Sequence, residues 1–288
     1  MQSNNPIFSR SPEFNGSGAS QGNQSYAGNG AAYPGYGQQQ GSDPSTWSTG
    51  GPDRTDGSDG SDARMTVDSV VQKTGLSLLL VMVTAAVTWF YIGDVTEATA
   101  GTLYGALLLG SGAAFGLSLV NSFKRVISPA LVLAFAAAEG VALGALSKFF
   151  DAQFGGGIVT QAVIGTFAAF AGTLAAYKFF NIQVGQRFRT FVVAAMFGMV
   201  ALGLMEMVLG FFGNSIGFFG FGGIGLLFAV AGLVLGVFML ILDFDFVERG
   251  VAAGLPERES WRAAFGLTVS LVWIYTNLLR ILAILRGE

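Results

Sequence analysis

The sequence predicts an all-α membrane protein: a seven-transmembrane-helix bundle with the last helix central, preceded by a disordered cytoplasmic tail. Three observations predict it. The 288 residues are 52% hydrophobic and only 11% charged, a balance rare in soluble domains. Beyond residue 74 the apolar residues form long runs separated by short polar breaks. The basic residues gather in every second break. There are also 42 glycines, which let helices approach closely in lipid.

The chain divides at residue 74 into a tail (1–74) and a bundle (75–288). Within the tail, residues 1–66 read as disordered, since "GNGAAYPGYGQQQGSDPSTWSTGGPDRTDGSDGSD" is rich in Gly, Ser, Gln and Asp. It lacks the apolar core of a signal peptide. Tyr26, Tyr33, Tyr36 and Trp47 are candidates for a docking motif on an otherwise solvated segment. The net charge of −3 lies here: residues 1–74 hold Arg10, Arg54, Arg64 and Lys73 against seven acids, and the remainder is neutral. Nucleic-acid binding therefore has no electrostatic support.

A spanning helix needs about 20 mostly apolar residues, and seven segments qualify. The first is 75–92, running from Gly75 to Ile92 before the break "GDVTEATAG". The second, 102–121, carries the small-xxx-small pair Gly112 and Gly116. The third, 129–150, opens at "SP", where Ser128 suits a cap and Pro129 the first turn; it contains Gly140 and Gly144. The fourth and fifth are 158–178 and 190–212. The sixth, 222–246, contains Gly232 and Gly236 and ends in "LILDFDF". The seventh is 261–285. The glycine pairs read as packing faces.

Lysine and arginine set orientation. Lys124 and Arg125, then Lys178, Arg187 and Arg189, then Arg249, Arg258 and Arg262 follow segments two, four and six, and Lys73 precedes segment one. The breaks after segments one and five hold none, and Lys148 and Arg286 are the basic residues of the opposite edge. The chain is therefore expected in the cytoplasmic (inner) membrane, with its amino terminus in the cytoplasm and its carboxyl terminus outside.

Asp243 and Asp245 then fall at the cytoplasmic end of segment six, where a negative charge opposes the helix macrodipole by ~0.3–1 kcal/mol. Two residues apart, they point about 200° apart and face different partners. Asp245 has Arg249 one turn on and reads as a solvated interfacial pair. Asp243 has no basic residue within a turn, which makes it the sharper gating or ion-handling candidate. Deeper lie Glu139, near the midplane of segment three, and Glu206, toward the outer third of segment five. Each is either a carboxyl satisfied inside the bundle or part of an ion or proton path. Ser270, Trp273, Asn277 and Arg280 form one polar stripe on segment seven, which places that helix among the others. Arg280 is expected to pair with Glu206, or else to snorkel to the outer headgroups.

The chain has no histidine and no cysteine. That removes Ser-His and Cys nucleophile mechanisms and His or thiolate metal sites. A presenilin-like protease needs aspartates on two facing helices, and segment seven has none. A retinal protein needs a lysine there, which is also missing. No enzyme and no cofactor is expected.

The "AEGVALGALS" stretch of segment three, the aspartate ending segment six and the polar "TNLLRILAILRGE" ending resemble the Bax inhibitor-1 family. With the Gly/Ser/Gln tail, the chain looks like that family's actinobacterial branch. The resemblance covers about 75–288 and implies seven helices, the last surrounded by the other six. It also implies a cytoplasm-proximal pair of aspartates, on helices six and seven, that shares a proton and opens a calcium leak in a pH-dependent way. The helix-six aspartate matches Asp243 or Asp245. Its helix-seven partner has no acidic counterpart, because the matching position falls on Asn277 or Ile274. The gate would then be a carboxyl–amide pair, recruit another acid or be missing.

Two functions follow. The first is a cation leak, of calcium or another cation, with a path lined by Asp243, Glu139 and Glu206; Asp243 is the candidate calcium contact. The second is a non-conducting regulator that binds another membrane protein, such as a quality-control protease, through the tail or the 247–260 loop "VERGVAAGLPERES". A purely structural membrane protein is a third. The interior carboxyls put the leak ahead.

Overall fold

The computed structural model describes residues 63–180 and 182–287. The residues assigned to the tail up to position 62, with the docking candidates Tyr26, Tyr33, Tyr36 and Trp47, lie outside the described residues. Seven helices follow one another: α1 (Val67–Ile92), α2 (Glu97–Phe123), α3 (Pro129–Phe154), α4 (Ile158–Phe179), α5 (Gln186–Phe211), α6 (Gly223–Ala252) and α7 (Glu259–Gly287). All seven are long and apolar enough to cross a membrane.

Local chemistry sets the boundaries. α1 reaches back to Val67, eight residues before the expected start, because Thr66 and Ser69 form a reciprocal capping box. Residues 63–66 are likewise placed. The Met65 N–H donates to the Leu255 carbonyl at 2.7 Å, the Glu257 N–H donates to the Ala63 carbonyl at 2.8 Å, and the Met65 side chain is buried. α3 does start at Pro129, but the Ser128 side chain makes no capping bond. α6 runs past the expected end at 246 to Ala252, so Asp243 and Asp245 lie inside the helix, beyond the reach of its terminal dipole.

The connections show which ends share a side. Lys73 at the start of α1 bonds Glu257 in the α6–α7 connection at 2.8 Å. Arg262 donates to the Arg125 carbonyl in the α2–α3 connection, and Arg249 donates to the Val184 carbonyl in the α4–α5 connection. One end of the bundle, the basic end, therefore gathers the arginine- and lysine-rich loops. At the opposite end Arg286 reaches the α3–α4 turn and Phe154 meets Phe221 of the α5–α6 loop.

α7 is central. It packs directly on α1, α3, α4 and α6, while α2 rests mainly on α3 and α5 on α6. Burial follows this order: α7 and α3 are the most enclosed helices and α5 the least. Large apolar side chains on the outside need no water-soluble partner in lipid. Phe123, Phe179 and Phe180 stand exposed at the basic end, and Phe90, Tyr91, Phe211 and Phe212 at the other. These are aromatic belts suited to two membrane interfaces.

Glycine decides the close approaches. At Gly140 a Cβ would strike α1 at Val81 and Thr84, and at Gly144 it would strike Ala85. Gly232 and Gly236 do the same against Asn277, Trp273 and Ile274 of α7. The expected pair Gly112 and Gly116 instead faces open space; on α2 it is Gly110 that meets α3, at Ala142 and Ala138.

Candidate functional site

The two aspartates of α6 face opposite ways, as a 200° separation requires. Asp245 points toward α5 and is 5% exposed. Arg189 donates to one of its oxygens at 2.9 Å and Arg249 to the other at 2.8 Å. The i,i+4 pair with Arg249 therefore forms, but it is not the solvated interfacial pair expected. Arg189, supplied by the first turn of α5, completes a two-arginine cradle around a buried carboxylate. Arg189 went unread as a partner because only packing brings α5 against α6.

Asp243 points toward α7. The Ser270 hydroxyl donates to its Oδ2 at 2.5 Å, and its Oδ1 lies over Gly266, 2.8 Å from where a Cβ would stand. It is half-buried and makes no ion pair among the described residues. The position across from it is thus Ser270 with Gly266, not Asn277 or Ile274. Ile274 packs against Gly236 and Asn277 against Gly232. The Asn277 amide turns back to donate to the Trp273 carbonyl at 2.8 Å.

The polar stripe of α7 has one direction. Ser270 meets Asp243, Trp273 donates its indole N–H to the Gly232 carbonyl at 2.8 Å, Asn277 sits on Gly232, and Arg280 donates to the Phe218 carbonyl at 2.5 Å. The stripe therefore faces α6 and the loop that leads into it. Being one polar face turned inward, it explains why α7 lies inside the bundle.

Glu206 and Arg280 do not pair. The Glu206 carboxylate accepts the backbone N–H of Ile216 at 3.0 Å and of Gly217 at 2.8 Å. Arg280 holds the next carbonyl, with Phe219 and Phe228 against its guanidinium at 5.2 and 6.0 Å. Both charged groups grip the α5–α6 loop, whose "GNSIGFFGFGG" offers backbone but no charge. Glu139, halfway along α3, is partly buried and has no polar partner among the described residues.

No cluster of three or more acidic, histidine or cysteine side chains suited to a metal occurs among the described residues. Calcium takes 6–8 oxygens, and Asp243 with one hydroxyl offers too few to retain it.

The fold and site define a class first: a seven-helix integral membrane protein built around a polar final helix, with an acid of helix six held against it. A family model described as Bax inhibitor 1 like matches residues 5–287, essentially the whole chain, and the protein belongs to that family. No curated protein matches it.

Proposed function

We propose that the protein is a cation leak of the cytoplasmic membrane, with calcium as the passing ion and protonation of Asp243 as its modulator. The observation that carries this is the contrast between the two aspartates. Asp245 is committed to Arg189 and Arg249 through two charged hydrogen bonds, one on each oxygen. Protonating Asp243 strands no cation, because its partner is a hydroxyl. Asp243 is thus free to titrate, and its state alters the grip between α6 and α7. Glu139, without a polar partner among the described residues, is the second acid of the path. Glu206 is left out, since its oxygens are used by the loop. The positive-inside rule puts the basic end, and the amino terminus, in the cytoplasm. No catalytic chemistry is assigned.

One feature favours the second reading, a non-conducting regulator of another membrane protein: no carboxylate on α7 faces Asp243, where Ser270 and Gly266 stand. Calcium entry into proteoliposomes, measured from mildly acidic to mildly alkaline pH against protein-free vesicles, separates the two. A leak predicts pH-dependent flux that Asp243→Asn flattens. Folded protein that passes no calcium at any pH would rule the leak out and favour the regulator.

A further inference from the structure

A cavity lies away from the aspartates. It is a groove of about 620 Å³ with α1 and α4 as walls and α3 and α7 as floor, in the size range of small-ligand pockets, about 300–1,000 Å³. The two walls do not touch each other, and the wall residues Met82, Phe90, Val163 and Phe167 are exposed on the outer surface of the bundle. The groove therefore opens sideways, toward lipid. Along α1 it extends from Trp89 to Leu78, about 16 Å at the helical rise, which is half of a hydrocarbon core of about 30 Å.

The lining is apolar, and the polar groups of its floor are already satisfied. Ser147 and Tyr275 bond each other at 2.6 Å, and Thr166 donates to the Ala162 carbonyl of its own helix. Nothing there asks for water or an ion, so a hydrocarbon chain fits and a hydrated cation does not. The mouth is different. Asp151 lines the groove at this end, and one turn earlier on α3 Lys148, outside the lining itself, lies 4.6 Å from the centroid of the Trp89 ring that does line it. Neither forms an ion pair among the described residues. Lysine is a strong phosphate binder, and a carboxylate beside it complements an ammonium group.

We propose that the α1–α4 groove is a site for a phospholipid with an amine headgroup. One acyl chain fills the groove to the middle of the membrane, the phosphate lies on Lys148, and the amine lies on Asp151. The site is distinct from the Asp243–Ser270 pair, whose side chains hydrogen-bond to each other and to none of the lining residues.

The test is native mass spectrometry of the full-length protein released from vesicles of mixed phosphatidylethanolamine and phosphatidylglycerol. The expected result is one retained phosphatidylethanolamine per chain. Ala86→Phe fills the groove from α1 and Val163→Phe from α4, and each should abolish retention. If one of these fails to fold, the other still decides. Lys148→Gln, at the rim, should lower occupancy roughly tenfold at limiting lipid. Equal retention by wild type and a folded groove-filled variant, or no retained lipid in the wild type, would overturn the site. Preferential retention of phosphatidylglycerol would overturn the headgroup assignment.

Discussion

At the basic end, ion pairs between side chains add to side-chain bonds on loop carbonyls. Asp245 ties α6 to α5 through Arg189 and to its own next turn through Arg249, and Lys73 ties α1 to the α6–α7 connection through Glu257. At the opposite end, side chain holds main chain. Glu206 takes two N–H groups of the α5–α6 loop and Arg280 takes a carbonyl of the same loop. The difference follows from loop composition. Loops rich in arginine and lysine supply charged partners, whereas an uncharged glycine- and phenylalanine-rich loop supplies only backbone. It also sets what can loosen each end. The arginines on Asp245 are 43% and 57% exposed, so salt reaches those bonds, while the backbone ties of Glu206 belong to a buried carboxylate.

Removing the acid at the basic end should have the largest effect. Asp245→Ala leaves two arginines unpartnered beside a buried gap and should cost on the order of 3 kcal/mol, discounted for their exposure. Thermal unfolding in detergent reads this. The loss should shrink in high salt, and a salt-independent loss would mean that the aspartate acts through packing. Between the ends, Gly144→Ala should cost about 2 kcal/mol, because its methyl would meet the Ala85 backbone. Gly112→Ala, facing open space, should cost nothing in the same assay. If Gly144→Ala exceeded Asp245→Ala, glycine packing rather than the end ties would dominate the bundle. Glu206→Gln should cost less than Asp245→Ala or Gly144→Ala, about 1 kcal/mol, confined to the loop. Hydrogen exchange at the Ile216 and Gly217 amides should accelerate while that at the basic end stays unchanged. Faster exchange at both ends would join regions that the structure keeps apart.

Length and apolarity made the seven helices legible, and the polar stripe of α7 made its central place legible. The divergence of Asp243 from Asp245 was legible too, because helical geometry fixes it without knowledge of neighbours. The partners were not. Arg189 and Ser270 lie 56 and 27 residues from the aspartates they bond, and only the packing of α5 and α7 on α6 brings them there. Pairing Glu206 with Arg280 treated opposite charges at similar depth as partners. It leaves out the intervening loop, whose backbone N–H and C=O groups also take partners. The cap on α1 is legible in the sequence, since Thr66 and Ser69 are three residues apart, but the polar residues from Asp68 to Thr74 hide the helix from a search for apolar runs.

The seating of Asn277 on Gly232 has a mechanical consequence. From that contact to the place where Asp243 lies over Gly266 is eleven residues along both helices, a lever of about 16 Å on each. The indole of Trp273, bonded to the Gly232 carbonyl, resists sliding at the near end, and the six residues that join α6 to α7 beyond the far end hold any opening there to a small one. A tilt of about 4° then separates Asp243 from Ser270 by about 1 Å, enough to break a hydrogen bond of ordinary length. The glycine that lets two helices touch is thus the pivot of such a tilt, about three turns from the carboxylate the tilt would release.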